Sequence, residues 1–136
     1  MATAHLTGSI GLSAIGQIAM PVRDPARAAA FYRDVLRLPF LFAAPPLAFF
    51  DCGGVRLMLS VPESAAHDHP GSILYFRVAD IAAAHADLTA RGVRFEQPPH
   101  LIATLSDHEL WLAFFADGEG NTLALMGEVP LREGPA

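Results

Sequence analysis

Two stretches of the chain begin alike: Val22-Arg23-Asp24 and Val78-Ala79-Asp80 each follow an apolar run and precede a helical pattern. A segment that recurs in this way folds as one supersecondary unit used twice, and this confines the chain to duplicated architectures. In the first copy IGQIAMPV (15–22) reads as a strand that ends at a helix start. Asp24 can accept hydrogen bonds from the orphan N–H groups of a first helical turn, and Pro25 stands where its missing N–H costs nothing. A helix is therefore expected from about Pro25 to Arg37, burying Ala28, Phe31, Tyr32 and Val35 at 3.6-residue spacing. LPFLFAA, LAFFDC and VRLMLSV then read as three short strands, separated by AAPP and by Gly53-Gly54.

The second copy restarts at ILYFRV, with Asp80 as N-cap, Ile81, Ala84 and Leu88 on the buried helix face, and Gly92 at the left-handed position that stops the helix. VRFEQ, ELWLAFFAD and NTLALMG supply three more strands, with a longer excursion at PPHLIATLSDH (98–108). The expected organisation is one domain over 1–136: a first module at about 15–61, a linker at 62–71 rich in Pro, Ser, His and Asp, and a second module at about 72–127. The fold class is α+β, two βαβββ modules. Each has one sheet face under its helix and one bare, so the bare faces build a curved, cup-shaped mixed sheet with helices outside.

Composition limits the partners. Hydrophobic residues make up 52% of the chain, charged residues 17%, and the net charge is −5, which argues against disorder and against a nucleic-acid footprint. No apolar run approaches the roughly 20 residues that span a bilayer, so no membrane partner is expected. The single cysteine, Cys52, excludes an internal disulfide framework and agrees with a cytoplasmic protein. Asp51 beside it disfavours the thiolate, so nucleophilic catalysis is not supported. The expected partners are a small molecule and a second copy of the chain. ELWLAFF is apolar on both faces, which calls for cover by the other module, a ligand or a second chain, and a homodimer follows.

QIAMPVRDPARAAAFYRDVLRLPFLF, followed by FFADGEGNTLALM, resembles the vicinal oxygen chelate superfamily, which includes glyoxalase I, bleomycin-resistance proteins and extradiol dioxygenases. The likeness covers about Ile15 to Gly127 and includes Asp117-Gly118-Glu119-Gly120-Asn121, a near-standard DPxGN turn with Gly118 in place of proline. The resemblance implies four converging metal-ligand positions, which fall here at Gln17, Met58, Ile73 and Ala124. Only Gln17 can ligate, through an amide oxygen. The resemblance therefore implies either no cofactor or a divalent metal held by replacement ligands, with His100, His108 and Glu109 as candidates. It implies a small-molecule binder with a degenerate metal site, taking an apolar or aromatic ligand, with or without an anionic group. The alternative is a glyoxalase-like lyase or dioxygenase that uses a relocated metal or an acid/base pair, His108 with Glu109.

Alternation predicts the rest of the cup. Ala19 and Pro21 share the phase of Gln17, Arg56 and Ser60 that of Met58, Tyr75 and Arg77 that of Ile73, and Thr122 and Met126 that of Ala124. Arg56 and Arg77 either meet an anionic ligand or pair with surface carboxylates. Met58 and Met126 either adapt to a flexible ligand or pack. Trp111 and His100 complete the expected ligand contacts. His108 and Glu109 are adjacent and can both face inward only where the strand has not begun. An open cup at Ala124 would tolerate Ala124→Glu. His67 and His69, flanking Asp68 in the linker, are expected to be solvated.

Overall fold

A computed structural model of the chain describes residues 10–62 and 64–131. The first module runs β1 (Gln17–Pro21), α1 (Pro25–Ala30), β2 (Phe40–Ala44), β3 (Leu47–Cys52) and β4 (Val55–Ser60). The second runs β5 (Leu74–Val78), α2 (Ile81–Ala90), β6 (His100–Thr104), β7 (His108–Ala116) and β8 (Thr122–Pro130). Both are βαβββ units with the same topology: the hydrogen-bonded orders are β1-β4-β3-β2 and β5-β8-β7-β6. In each, the first strand lies parallel to the last and the other pairings are antiparallel. The mixed sheet is thus built as two separately hydrogen-bonded, open curved halves.

The helices start as the sequence dictates. Asp24 Oδ1 accepts from the Arg27 N–H at 3.1 Å, and Asp80 Oδ1 accepts from the Ala83 N–H at 3.0 Å. They end differently. The first helix continues past Ala30 as one π turn over Phe31–Val35, with the Leu36 N–H on the Phe31 carbonyl, so it holds one more residue than its counterpart. The left-handed residue that follows is Arg37 (φ 61) in the first module and Gly92 (φ 91) in the second.

Each helix covers one face of its own sheet. The residues between helix and sheet, Met20, Tyr32, Phe50, Leu57 and Leu59 in the first module and Ile81, Ala113, Phe115, Leu123 and Leu125 in the second, form one continuous core. The modules are latched by the β7–β8 turn. Tyr32, fully buried, donates its hydroxyl to Asp117 Oδ2 at 2.7 Å, and burial beside that carboxylate pushes the phenol well above its ordinary pKa. Asp117 Oδ1 also accepts the N–H groups of Glu119 and Asn121. The Asn121 amide bridges Asp117 to the Pro21 carbonyl of β1. Gly118 sits at φ 82, a conformation that proline's fixed φ forbids, which accounts for the glycine in this turn.

One strand is corrected. VRFEQ is not a strand: it makes a single bridge, Phe95 to Phe115, plus one hydrogen bond from the Glu96 N–H to the Phe114 carbonyl. Pro98 and Pro99 then offer no N–H groups, and ladder pairing begins only at His100. The excursion at 98–108 therefore carries the edge strand β6. No helix among the described residues is long and apolar enough to cross a membrane.

Candidate functional site

Register assigns every strand residue to a face, because directly paired residues share one. On the first module, Gln17, Ala19 and Pro21 stand beside Arg56, Met58 and Ser60 of β4, which stand beside Asp51, Phe49 and Leu47 of β3. Ile18, Met20, Leu57 and Leu59 point the other way into the core. On the second module, Tyr75 and Arg77 stand beside Ala124 and Met126, then Phe114 and Leu112, with His100 opposite Leu112.

On the first-module face the side chains interlock. Arg56 Nε donates to Gln17 Oε1 at 2.8 Å, Gln17 Nε2 lies 3.6 Å from Met58 Sδ, and the guanidinium carbon of Arg56 sits 5.2 Å from the centre of the Phe49 ring. Phe42 stacks on Phe49 with ring centroids 4.5 Å apart, tilted by 30°. A hollow of about 600 Å3 opens beside them, walled by Ala19, Pro21, Leu47, Met58 and Ser60, and the linker brings His67 and His69 to its rim. That volume suits a small organic molecule. The two linker histidines were expected to be solvated. They remain exposed, yet they also border the hollow, because the linker turns once at Ala65–His67 and passes over this sheet. Leu47, Phe49 and Phe42 were also missed by reading outward from the metal positions; cross-strand pairing through β3 is the signal that finds them.

On the second-module face, Tyr75 (47% exposed) meets Phe114 edge-on with centroids 6.0 Å apart. Ala124 lies between them in register and is fully buried. The open wall expected at Ala124 is closed by these two rings. Ile73 precedes β5 and is half exposed, Met126 is half-buried, and Arg77 is exposed with Glu128 Oε1 3.7 Å away.

The candidate acid/base pair does not assemble. His108 faces the cup opposite Pro130, whereas Glu109 pairs with Val129 on the helix side. There Glu109 accepts the Trp111 indole N–H at 3.0 Å, and Trp111 packs against the core rather than in the cup. Period-two alternation imposes this, since β7 begins at His108 itself. The carboxylates near His108 are Asp107, at 2.7 Å, and Glu128, at 3.8 Å. Six residues of strand, about 20 Å, separate His108 from the row of Ala124. His100 hydrogen-bonds locally, its Nδ1 3.3 Å from the Pro98 carbonyl oxygen.

The side chains at the four ligand positions do not fit a metal ion. The Gln17 oxygen is occupied by a guanidinium, whose charge repels a cation; Met58 offers a thioether; Ile73 and Ala124 offer hydrocarbon. Among the described residues no three His, Cys, Asp or Glu side chains cluster as metal ligands.

Comparison with known proteins agrees with this architecture. The profile of the glyoxalase/bleomycin resistance protein/dioxygenase superfamily matches residues 14–125. Among solved structures, a lactoylglutathione lyase from Agrobacterium tumefaciens is 25% identical, with 85% of this chain and 93% of that one covered and a TM-score of 0.67. A superfamily member from Sphaerobacter thermophilus DSM 20745 is 24% identical over 86% and 98%, with a TM-score of 0.71. TnmS3, an antibiotic binding protein from Streptomyces sp. CB03234, is 23% identical over 88% and 99%, with a TM-score of 0.70. No curated protein matches the chain.

Proposed function

The chain belongs to the glyoxalase/bleomycin resistance protein/dioxygenase superfamily, and we propose that within it this protein is a metal-free binder of a small organic anion. Family membership alone does not choose, since a lyase and an antibiotic binder share the fold. The observation that carries the reading is the hydrogen bond from Arg56 to Gln17 Oε1. It turns the one polar ligand position into part of a cationic, donor-rich wall. Gln17 holds the guanidinium at Nε and the Phe49 ring lies under its carbon, so Arg56 is held ready for a carboxylate or phosphate. Phe42, Phe49, Leu47 and Met58 then supply an apolar wall for the rest of the ligand.

The test is calorimetric titration with aromatic carboxylates, naphthoate first. Binding that weakens about tenfold in Arg56→Ala, a loss of about 1.4 kcal/mol, supports the proposal. Binding that is indifferent to Arg56, or absent across the panel, removes it.

A second reading rests on His108, whose imidazole faces the cup with Asp107 and Glu128 as neighbours. This is a metal-free acid/base group for a lyase-like reaction, and turnover lost in His108→Ala but retained in Arg56→Ala would favour it. The proposal also includes a second copy of the chain, in a cytoplasmic setting. Phe42, Ile73 and Tyr75 on the open faces and Leu41 and Ile102 on the outer strands are all 43–47% exposed, more apolar surface than an isolated cup wall needs. Sedimentation showing a monomer only, at micromolar concentration, would count against the dimer.

A further inference from the structure

A further hollow runs into the seam between the modules, where Asp51, Tyr75, Arg77 and Met126 of the open faces form part of its wall. It is a cavity of about 620 Å3 at the seam between the modules, floored by Ile18, Leu38 and Leu57 of the first and by Leu74 and Phe76 of the second. A second hollow of about 300 Å3 adjoins it, sharing Arg37, Leu38 and Phe76 and running on to Leu88 and Leu125. Together they make an elongated apolar cleft, and Arg37 borders both parts. We propose that this seam is a second small-molecule site, for an amphiphilic anion, with Arg37 contacting the anionic head and the apolar cleft taking the tail.

Arg37 carries the argument through two independent features. Its backbone is left-handed (φ 61), a conformation that disfavours any side chain with a Cβ, and the equivalent residue after the second helix is a glycine. The repeat thus supplies its own control: the turn is made freely by Gly92, while the first module keeps a long cation at the cleft. The guanidinium is also unengaged. Arg27, Arg33 and Arg91 are each held by a carboxylate, whereas Arg37 has no hydrogen-bond or ion-pair partner among the described residues. The other charged groups are Asp51, one of whose oxygens accepts the Gly54 N–H, and the exposed Arg77 at the first hollow, and the Arg91–Asp87 ion pair at the second. Asp51 is joined to the Arg37 segment through its N–H on the Pro39 carbonyl at 2.9 Å, yet two arginines against one carboxylate leave the cavity wall net positive. Cys52 also borders the cavity, and burial, then Asp51, raises its pKa, so the wall there stays uncharged.

The inference rests on Arg37 where the cup reading rests on Arg56, and one set of titrations separates the two. Dodecanoate, kept below its micelle concentration, and dodecanol are titrated calorimetrically into the wild type, Arg37→Gly and Arg56→Ala, with melting curves in parallel. Arg37→Gly removes the cation and relaxes the backbone, so its melting temperature should hold or rise. The proposal expects dodecanoate to raise the melting temperature of the wild type and to bind about tenfold more weakly to Arg37→Gly. Dodecanol affinity should be the same in all three proteins, and Arg56→Ala should bind dodecanoate as the wild type does. It is overturned if dodecanoate does not bind the wild type or lowers its melting temperature, if Arg37→Gly binds it unchanged, or if the loss appears in Arg56→Ala instead. A dimer that binds neither ligand also overturns it, because the seam is then closed by the second copy.

Discussion

Removing the Glu119 carboxylate should loosen one module from the other by a predictable amount. Glu119 belongs to the second-module turn, yet its side chain is only 2% exposed because it inserts beside the first-module helix start. Oε1 accepts the Arg23 N–H at 2.6 Å and the Asp24 N–H at a long 3.4 Å, while Oε2 meets Arg27 Nη2 at 2.6 Å and Nε at 3.1 Å. The Arg27 side chain is 68% exposed, so its ion pair is screened and adds little. The backbone bonds resemble a helix cap supplied from the other module, and losing them in Glu119→Ala should cost about 1–2 kcal/mol. At this chain length that lowers the melting temperature by about 3–6 °C.

The pH dependence has a definite sign. Burial pushes the Glu119 pKa up, but the hydrogen bonds from Arg23, Arg27 and Asp24 outweigh it and leave the carboxyl below its usual range. A carboxyl depressed in the folded state adds stability above its unfolded pKa, about 4.3, and that stability is lost as pH falls through the folded value. The gap between wild type and Glu119→Ala in urea denaturation should therefore be full at pH 7 and narrow under acid conditions, with the m-value unchanged. A gap below about 0.3 kcal/mol at pH 7, within the noise of surface substitutions, would refute the latch. So would a gap that does not narrow in acid.

Tyr32→Phe leaves Asp117 Oδ2 with only the Asn121 amide, and urea denaturation should show a loss of about 1.5–3 kcal/mol, the range for a hydrogen bond to a charged group. Ala124→Glu, tolerated in an open cup, should instead destabilise because Ala124 is fully buried between Tyr75 and Phe114. The new carboxyl, raised in pKa by burial, should cost most above its unfolded value and less in acid, so melting temperatures across pH decide the matter. Gly127→Ala would place a Cβ 2.9 Å from Ile81 Cβ, and the overpacking should cost about 1–3 kcal/mol in chemical denaturation, with far-ultraviolet dichroism unchanged.

Much of the fold was legible because the repeat set the order of elements and period-two alternation set the strand faces. The helix starts at Asp24 and Asp80 and the inward phase of Leu123 and Leu125 followed from local chemistry. The strand β6 was not legible: Pro98-Pro99 reads as a loop, and the register shift between Leu101 and Ala103 breaks the alternation that would have marked it. Trp111 and Glu109 were candidate site residues, but ELWLAFF is apolar on both faces, so its composition carries no phase, and only the register with β8 sends them to the helix side. The Tyr32–Asp117 and Arg27–Glu119 contacts join residues 85 and 92 positions apart, beyond any local signal. The pairing of Gln17 with Arg56 depends on the β1–β4 register, which the sequence leaves open.

The central claim, that the cup works without a metal because Arg56 occupies Gln17, is tested most directly by elemental analysis. Protein purified without chelator is incubated with divalent zinc, nickel, manganese and iron, desalted and measured beside Gln17→Ala. The account predicts far less than one metal per chain in both, with melting temperatures unmoved by the ions. Near one metal per chain in the wild type, lost in Gln17→Ala, would contradict it and restore a metal centre at the residue the account gives to Arg56.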